Sequence, residues 1–183
     1  MPCIAKKYEA KREQLQNNDL PNVDIVITTR ELARMIKQNN IDFLNLEDET
    51  FDLPLGEATG AGAIFGTTGG VMEAALRTVE DILTGKNLEK IEYKEVRGEK
   101  GIKEATLDIN GKKIKIAVAH GLKNARIIME EIKNGKSPYH FVEIMACPGG
   151  CVMGGGQPIH SSKEHELVDI RSLRANALYT IDE

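Results

Sequence analysis

The stretch KIKIAVAHGLKNARIIMEEIKNGKSPYHFVEIMACPGGC, residues 113–151, decides the fold. Lys113 to Ala119 and Phe141 to Ala146 are short, β-branched apolar runs with strand character. Between them, Lys123 to Lys133 repeats its apolar residues with a helical period and closes at Asn134-Gly135. Strand, helix and strand in this order predict a βαβ unit, with the two strands parallel and the crossover right-handed. Ligands in open α/β sheets gather beyond the carboxyl ends of parallel strands. Cys147 follows the second strand directly.

Working outward, Asn110-Gly111 is a strong hairpin signal that joins Lys113–Ala119 to a strand over Ala105–Ile109. A further strand is expected over Ile91–Val96. The pattern VMEAALRTVEDIL predicts an amphipathic helix over Val71–Leu83, stopped by Gly85. Before it, Phe51 to Gly70 is a long irregular stretch with six Gly residues, the kind of loop that usually serves function. Val23 to Thr28 reads as a buried strand, and Thr28 with Glu31 has the spacing of a capping box for a helix running to about Gln38. Ile4 to Gln16 contains good helix formers, which puts Cys3 at or beside a helix amino terminus. At the other end, Ser162 to Asp182 is partly helical, with Leu167, Ile170, Leu173 and Leu178 available for docking. The expected class is α/β: a mixed, largely parallel sheet flanked by helices. Residues 1–160 form the main lobe and 161–183 a carboxyl-terminal helical segment.

With 183 residues and 41% hydrophobic content, the chain can build a proper core. A formal net charge of -4 leaves no cationic surplus for phosphates or anionic membranes, so nucleic acid is not an expected partner. No apolar run approaches the ~20 residues of a membrane-spanning helix, and MPCIAKKYEAKREQ is charged where a signal peptide is apolar. A cytoplasmic location is expected.

Three Cys residues are an odd number and no basis for a disulfide framework. Cys147 and Cys151 stand four apart, with five Gly in the eight positions from Gly149 to Gly156, so little but backbone surrounds them. That suits an iron-sulfur cluster, whose irons take thiolates while backbone N–H groups approach the sulfides. Buried structural thiols fit the spacing equally well. Zinc fits less well, because a fourth ligand would have to be a His such as His120 or His160 and neither lies in a paired motif.

Two segments change those odds. MPCIAKKYE has the form MPCxxKxxE, and EIMACPGGCVMGGGQP has the form ExMxCxxGCxxGGGQP. These resemble the second and third signature motifs of the iron-only (FeFe) hydrogenases. TTRELARMI, GAGAIFGTTGGVMEAALR, AVAHGLKNAR and GKSPYHF resemble the catalytic domain of that family in the same order. The resemblance implies one lobe of that domain, binding a four-iron four-sulfur cubane. One cysteine sulfur joins the cubane to a diiron subcluster carrying carbon monoxide, cyanide and a dithiolate.

By motif position, Cys3 and Cys147 would be terminal cubane ligands and Cys151 would bridge to the diiron unit. Lys6 would act in catalysis by hydrogen-bonding a cyanide. Met1 and Met145 would pack beside the diiron unit, and Phe65 and Gly66 would close the pocket. Glu9 and Glu143 match fixed family positions but serve equally well as structural partners. His120, His140, His160 and His165 are expected at the surface or behind the site.

The first motif of the family, TSCCPxW, does not occur in these 183 residues. It would bring the fourth cubane ligand and the cysteine that passes protons to the bridging amine. The expectation is therefore a piece of a hydrogenase, inactive alone, whose partners are the remainder of the catalytic domain and an electron donor such as ferredoxin. A non-catalytic hydrogenase-like protein in electron transfer, sensing or assembly is the alternative, and a module whose thiols bind nothing is a third.

Overall fold

The structure is a computed structural model, and it describes residues 2–50, 52, 60–85, 96–98, 100–109 and 111–182. The chain forms two compact units: residues 1–57 with 154–168, and residues 58–153 with 169–183.

In the first unit, helix α1 (Lys6–Glu9) is a single turn, followed by a 3-10 turn over Glu13–Leu15. The helix expected to Gln16 stops early because a hairpin follows, β1 (Gln16–Asn17) against β2 (Leu20–Pro21). Its two-residue loop holds Asn18 at φ 51° and Asp19 at φ 63°. Asn and Asp tolerate that left-handed backbone, and paired positive φ values match the twist of a tight hairpin. Helix α2 (Thr29–Gln38) has the expected capping box: Thr28 Oγ1 accepts from the Glu31 amide, and the Thr28 amide donates to Glu31 at 2.7 Å.

Val23–Thr28 is not the buried strand that its apolar run predicted. It has no regular secondary structure and no ladder partner among the described residues, with Ile25 78% exposed. An apolar run supplies side chains to bury, but a strand also needs a neighbour for its N–H and C=O groups. In this unit the only described strands are the two-residue arms of the hairpin. Helix α5 (Ser162–Leu167) ends the unit, capped reciprocally by Ser161 and Glu164.

The Glu31 carboxylate is held down to about 2, foremost by the Lys7 ammonium at 2.8 Å, then by the Thr28 amide and hydroxyl. Because the folded value lies below the unfolded one, the stabilisation is complete above pH 4.5 and is lost as pH falls towards 2. An NMR titration of the Glu31 side chain should show its midpoint near that low value. Lys7→Met should raise the midpoint; an unchanged midpoint would contradict the contact.

The second unit contains the sheet. Its order is β3 (Ile102–Ile109), β4 (Lys112–His120), β5 (Phe141–Met145), with β3 antiparallel and β5 parallel to β4. The hairpin and the βαβ unit are thus as expected, and the fold is mixed α/β. Asn110, residues 91–95 of the further expected strand, and Met1 lie outside the described residues.

Residues 116–120 of β4 are all buried, so both faces of this central strand are covered. Ile116 and Val118 join Met72 and Leu76 of helix α3 (Gly70–Thr84), with Val96 and Ile109. Ala117 and Ala119 face the other way, onto Ile128 of helix α4 (Leu122–Lys133). Burial of one such side chain contributes roughly 1.5–3 kcal/mol. Gly85, at φ 64°, ends α3 as predicted. Helix α6 (Ile170–Asp182) completes the unit. No described helix is long and apolar enough to cross a membrane.

Candidate iron-sulfur site

β5 runs parallel to β4 in a register that pairs His120 with Met145, so the two strands end together. The Gly121 amide closes the end by donating to the Met145 carbonyl at 2.8 Å. Two residues on, Cys147 opens a turn that the Gly150 amide closes onto the Cys147 carbonyl at 3.0 Å. Gly149 and Gly150 take φ values of 82° and 96°, a region that side-chain-bearing residues rarely enter. Cys151 then begins a 3-10 turn to Met153.

Gly150 is required for space as well as for its dihedral. A Cβ there would lie 2.6 Å from the Thr68 amide nitrogen and 3.0 Å from the Gly66 carbonyl oxygen. The glycine-rich loop, wound as a 3-10 stretch over Gly60–Gly66, is therefore pressed directly against the cysteine turn. Cys147 and Cys151 are half-buried and form no disulfide. Thiols at the carboxyl end of a parallel strand, on a turn stripped of side chains, fit an iron-sulfur cluster in donor type and in clearance. Two of the turn's amides are already used within the protein. Gly150 serves the turn itself, and Gly149 donates to His120 Nδ1 at 2.9 Å, a buried contact. His120 thus accepts through Nδ1, which places its proton on Nε2 when the ring is neutral.

Behind the loop, two buried charged side chains, Glu143 and Lys103, bind its backbone. Glu143 of β5 accepts from the Gly69 amide at 2.7 Å and the Met72 amide at 2.6 Å, capping the amino terminus of α3. Burial raises the Glu143 pKa, against the pull of those two amides and of Lys103. Lys103 of β3 donates to the Thr68 and Gly98 carbonyls at 2.9 and 3.0 Å, and burial lowers it to about 8. Residues 68, 69 and 72 are thereby tied to the sheet. Alternation along β3 and β5 could have placed these two residues on one face, but their partners are backbone groups that no local pattern reveals.

The anticipated site residues divide between the units. Met145, Cys147, Cys151, Phe65 and Gly66 belong to the second, and Gly66 is brought against the cysteine turn. Phe65 is 48% exposed. Cys3 and Lys6 belong to the first unit, where Cys3 precedes α1 and Lys6 Nζ pairs with Glu9. A helix of one turn gives Cys3 little of the dipole expected from a longer one. The end of the third motif returns to that unit: the Gly156 amide donates to the Pro2 carbonyl at 2.7 Å, and Arg30 Nη2 donates to the Gly155 carbonyl at 2.9 Å. Within the first unit the GGG segment thus lies against the chain around Cys3, and its bareness lets Gly155 sit against Ile4. Among the described residues, no three His, Cys, Asp or Glu side chains are gathered as for a single metal ion.

Comparison with known proteins agrees with this chemistry. Iron hydrogenase 1 of Clostridium pasteurianum is 53% identical over 183 residues, covering 100% of this chain and 32% of that protein. The solved FeFe-hydrogenase HydA1 from Chlamydomonas reinhardtii, as a variant, matches with a TM-score of 0.72 at 38% identity, covering 100% of this chain and 52% of that one. The cytosolic Fe-S cluster assembly factor narfl of Xenopus tropicalis is 36% identical over 163 residues, covering 86% of this chain and 34% of that protein. The chain spans about a third of the length of these two curated relatives. Residues 1–155 match the model of the iron only hydrogenase large subunit, C-terminal domain, and the chain belongs to that family.

Proposed function

We propose that this chain is the cluster-binding part of an FeFe-hydrogenase catalytic domain, serving the reversible reduction of protons to hydrogen. The observation that carries the reading is the Cys147–Cys151 turn at the end of a parallel strand, its two left-handed glycines packed on the Gly66 loop. Cys147 and Cys3 would hold the cubane and Cys151 would bridge it to the diiron subcluster. When bound, this cluster supplies the iron at which protons and electrons combine. The chain's own residues prepare its surroundings. Lys6 would offer its ammonium to the anionic cyanide, a charge-assisted bond in place of its solvent-facing pair with Glu9. Met1 and Met145 would fill the irregular space beside the diiron unit with thioether, and Phe65 and Gly66 would exclude water. The protein would act in the cytoplasm, completed by the rest of the catalytic domain and reduced by a ferredoxin-like donor.

The second reading is a non-catalytic assembly role, favoured by the likeness to the narfl assembly factor. Lys6 and Met145 weigh against it, since their motif positions serve the diiron unit.

Anaerobic reconstitution with iron and sulfide tests the ligand assignment. Iron and acid-labile sulfide should each approach about four per chain, as a cubane requires. Cys147→Ala or Cys3→Ala should abolish the uptake. Equal loading of wild type and Cys147→Ala would overturn the assignment.

A further inference from the structure

Helix α6 lies beyond the residues that match the family model, 1–155, yet its side chains hold the cysteine turn. Arg174 Nη1 donates to the Val152 carbonyl at 3.0 Å, and the same nitrogen stands 3.8 Å from Met153 Sδ. One turn earlier, Arg171 lies across Gly149: a Cβ at that glycine would meet Arg171 Cδ at 2.5 Å and Nε at 2.7 Å. Leu178 packs on the facing loop in the same manner, 2.6 Å from where a Gly66 Cβ would stand. One helix therefore grips both the cysteine turn and the glycine-rich loop behind it.

The helix is itself anchored. Asp182 takes the Arg77 guanidinium through two bonds of 2.7 Å, and Arg77 reaches the fully buried Glu73 at 2.7 Å. Arg97 binds Glu73 through two bonds of 2.9 and 2.8 Å and lies 4.4 Å above the Tyr179 ring. Bidentate and stacked arginines of this kind fix orientation as well as charge.

We propose that Arg171 and Arg174 are positioning residues for the iron-sulfur cluster, holding the Cys147–Met153 turn and keeping two permanent positive charges beside it. The inference rests on the reading that Cys147 and Cys151 ligate the cluster. Guanidinium groups stay charged at any working pH. Reduction adds negative charge to a cluster, so nearby cations favour the reduced form and raise the potential. Pro148 and the two glycines of the turn carry no charge of their own, and Arg171 and Arg174 are the cationic side chains of α6.

Two readouts separate the proposal from a purely structural role. In the metal-free chain, Arg174→Gln should speed hydrogen exchange at the Met153 amide, now bonded to the Gly150 carbonyl at 3.1 Å, by roughly five- to tenfold for one lost hydrogen bond. In the reconstituted chain, an EPR-monitored redox titration should give a more negative potential for Arg174→Gln and for Arg171→Gln, with Arg174→Lys restoring most of it. Faster exchange with an unchanged potential in both Gln variants would overturn the proposal, leaving α6 as a brace only. Unchanged exchange in Arg174→Gln would overturn the grip. A wild-type chain that takes up no iron would instead fail the ligand reading beneath the proposal, an outcome visible before any variant is compared.

Discussion

Purified alone and loaded with a synthetic diiron compound, the 183-residue chain should evolve no measurable hydrogen from reduced methyl viologen. Three cysteines leave one cubane iron open to solvent or added thiol, and the family's TSCCPxW motif, with the fourth ligand, does not occur in the sequence. Proton delivery is lost separately. A positioned acid or base typically contributes ~10²–10⁴-fold and must stand within hydrogen-bond reach of the reacting atoms. Within the second unit the buried titratable groups nearest the cysteine turn are already committed: Glu143 to two amides, Lys103 to two carbonyls, His120 Nδ1 to Gly149. The loss should therefore exceed the 10²–10⁴ range, to about the detection limit. Turnover by the chain alone would mean that another group carries the proton.

The second large effect concerns Glu143. Its replacement by Ala leaves the Gly69 and Met72 amides buried without acceptors and removes the carboxylate that faces Lys103. Each buried donor left without an acceptor costs about 1–3 kcal/mol, so two amount to a large share of a typical domain's stability. Denaturant unfolding should show that loss for Glu143→Ala. Glu143→Gln, which keeps one accepting oxygen, should lose roughly half as much. Equal stability of Glu143→Ala and wild type would show that the α3 terminus does not depend on this cap.

The sequence pattern identified those parts of the fold whose information is local. Residues 113–145 carried a strand period, a helix period and a second strand in succession, and the βαβ unit followed. The capping box at Thr28 and Glu31 and the stop at Gly85 are likewise written within one turn of chain. Val23–Thr28 misled because an apolar run says nothing of whether a neighbouring strand exists. The first helix was overread for a different reason: Asn18-Asp19 forms a hairpin, and turn chemistry overrode the helix propensity ahead of it.

At the site, the cysteines and glycines stood out by spacing, and their roles came from the motif resemblance. The supports could not be found that way. His120 precedes the turn by 29 residues, Lys103 lies 35 residues from the Thr68 carbonyl it holds, and Arg174 is 22 residues beyond Val152. Each binds a backbone atom, so no residue pair in the sequence signals the contact.

The most direct test of the central claim is infrared spectroscopy of the anaerobically reconstituted chain after loading with the synthetic diiron compound and removal of the excess. A hydrogenase cluster-binding lobe should retain protein-bound carbon monoxide and cyanide bands, shifted in Lys6→Ala and absent from Cys151→Ala. Bands equally present in Cys151→Ala, or none retained by a wild type that holds its cubane, would contradict the assignment and favour the assembly-factor reading.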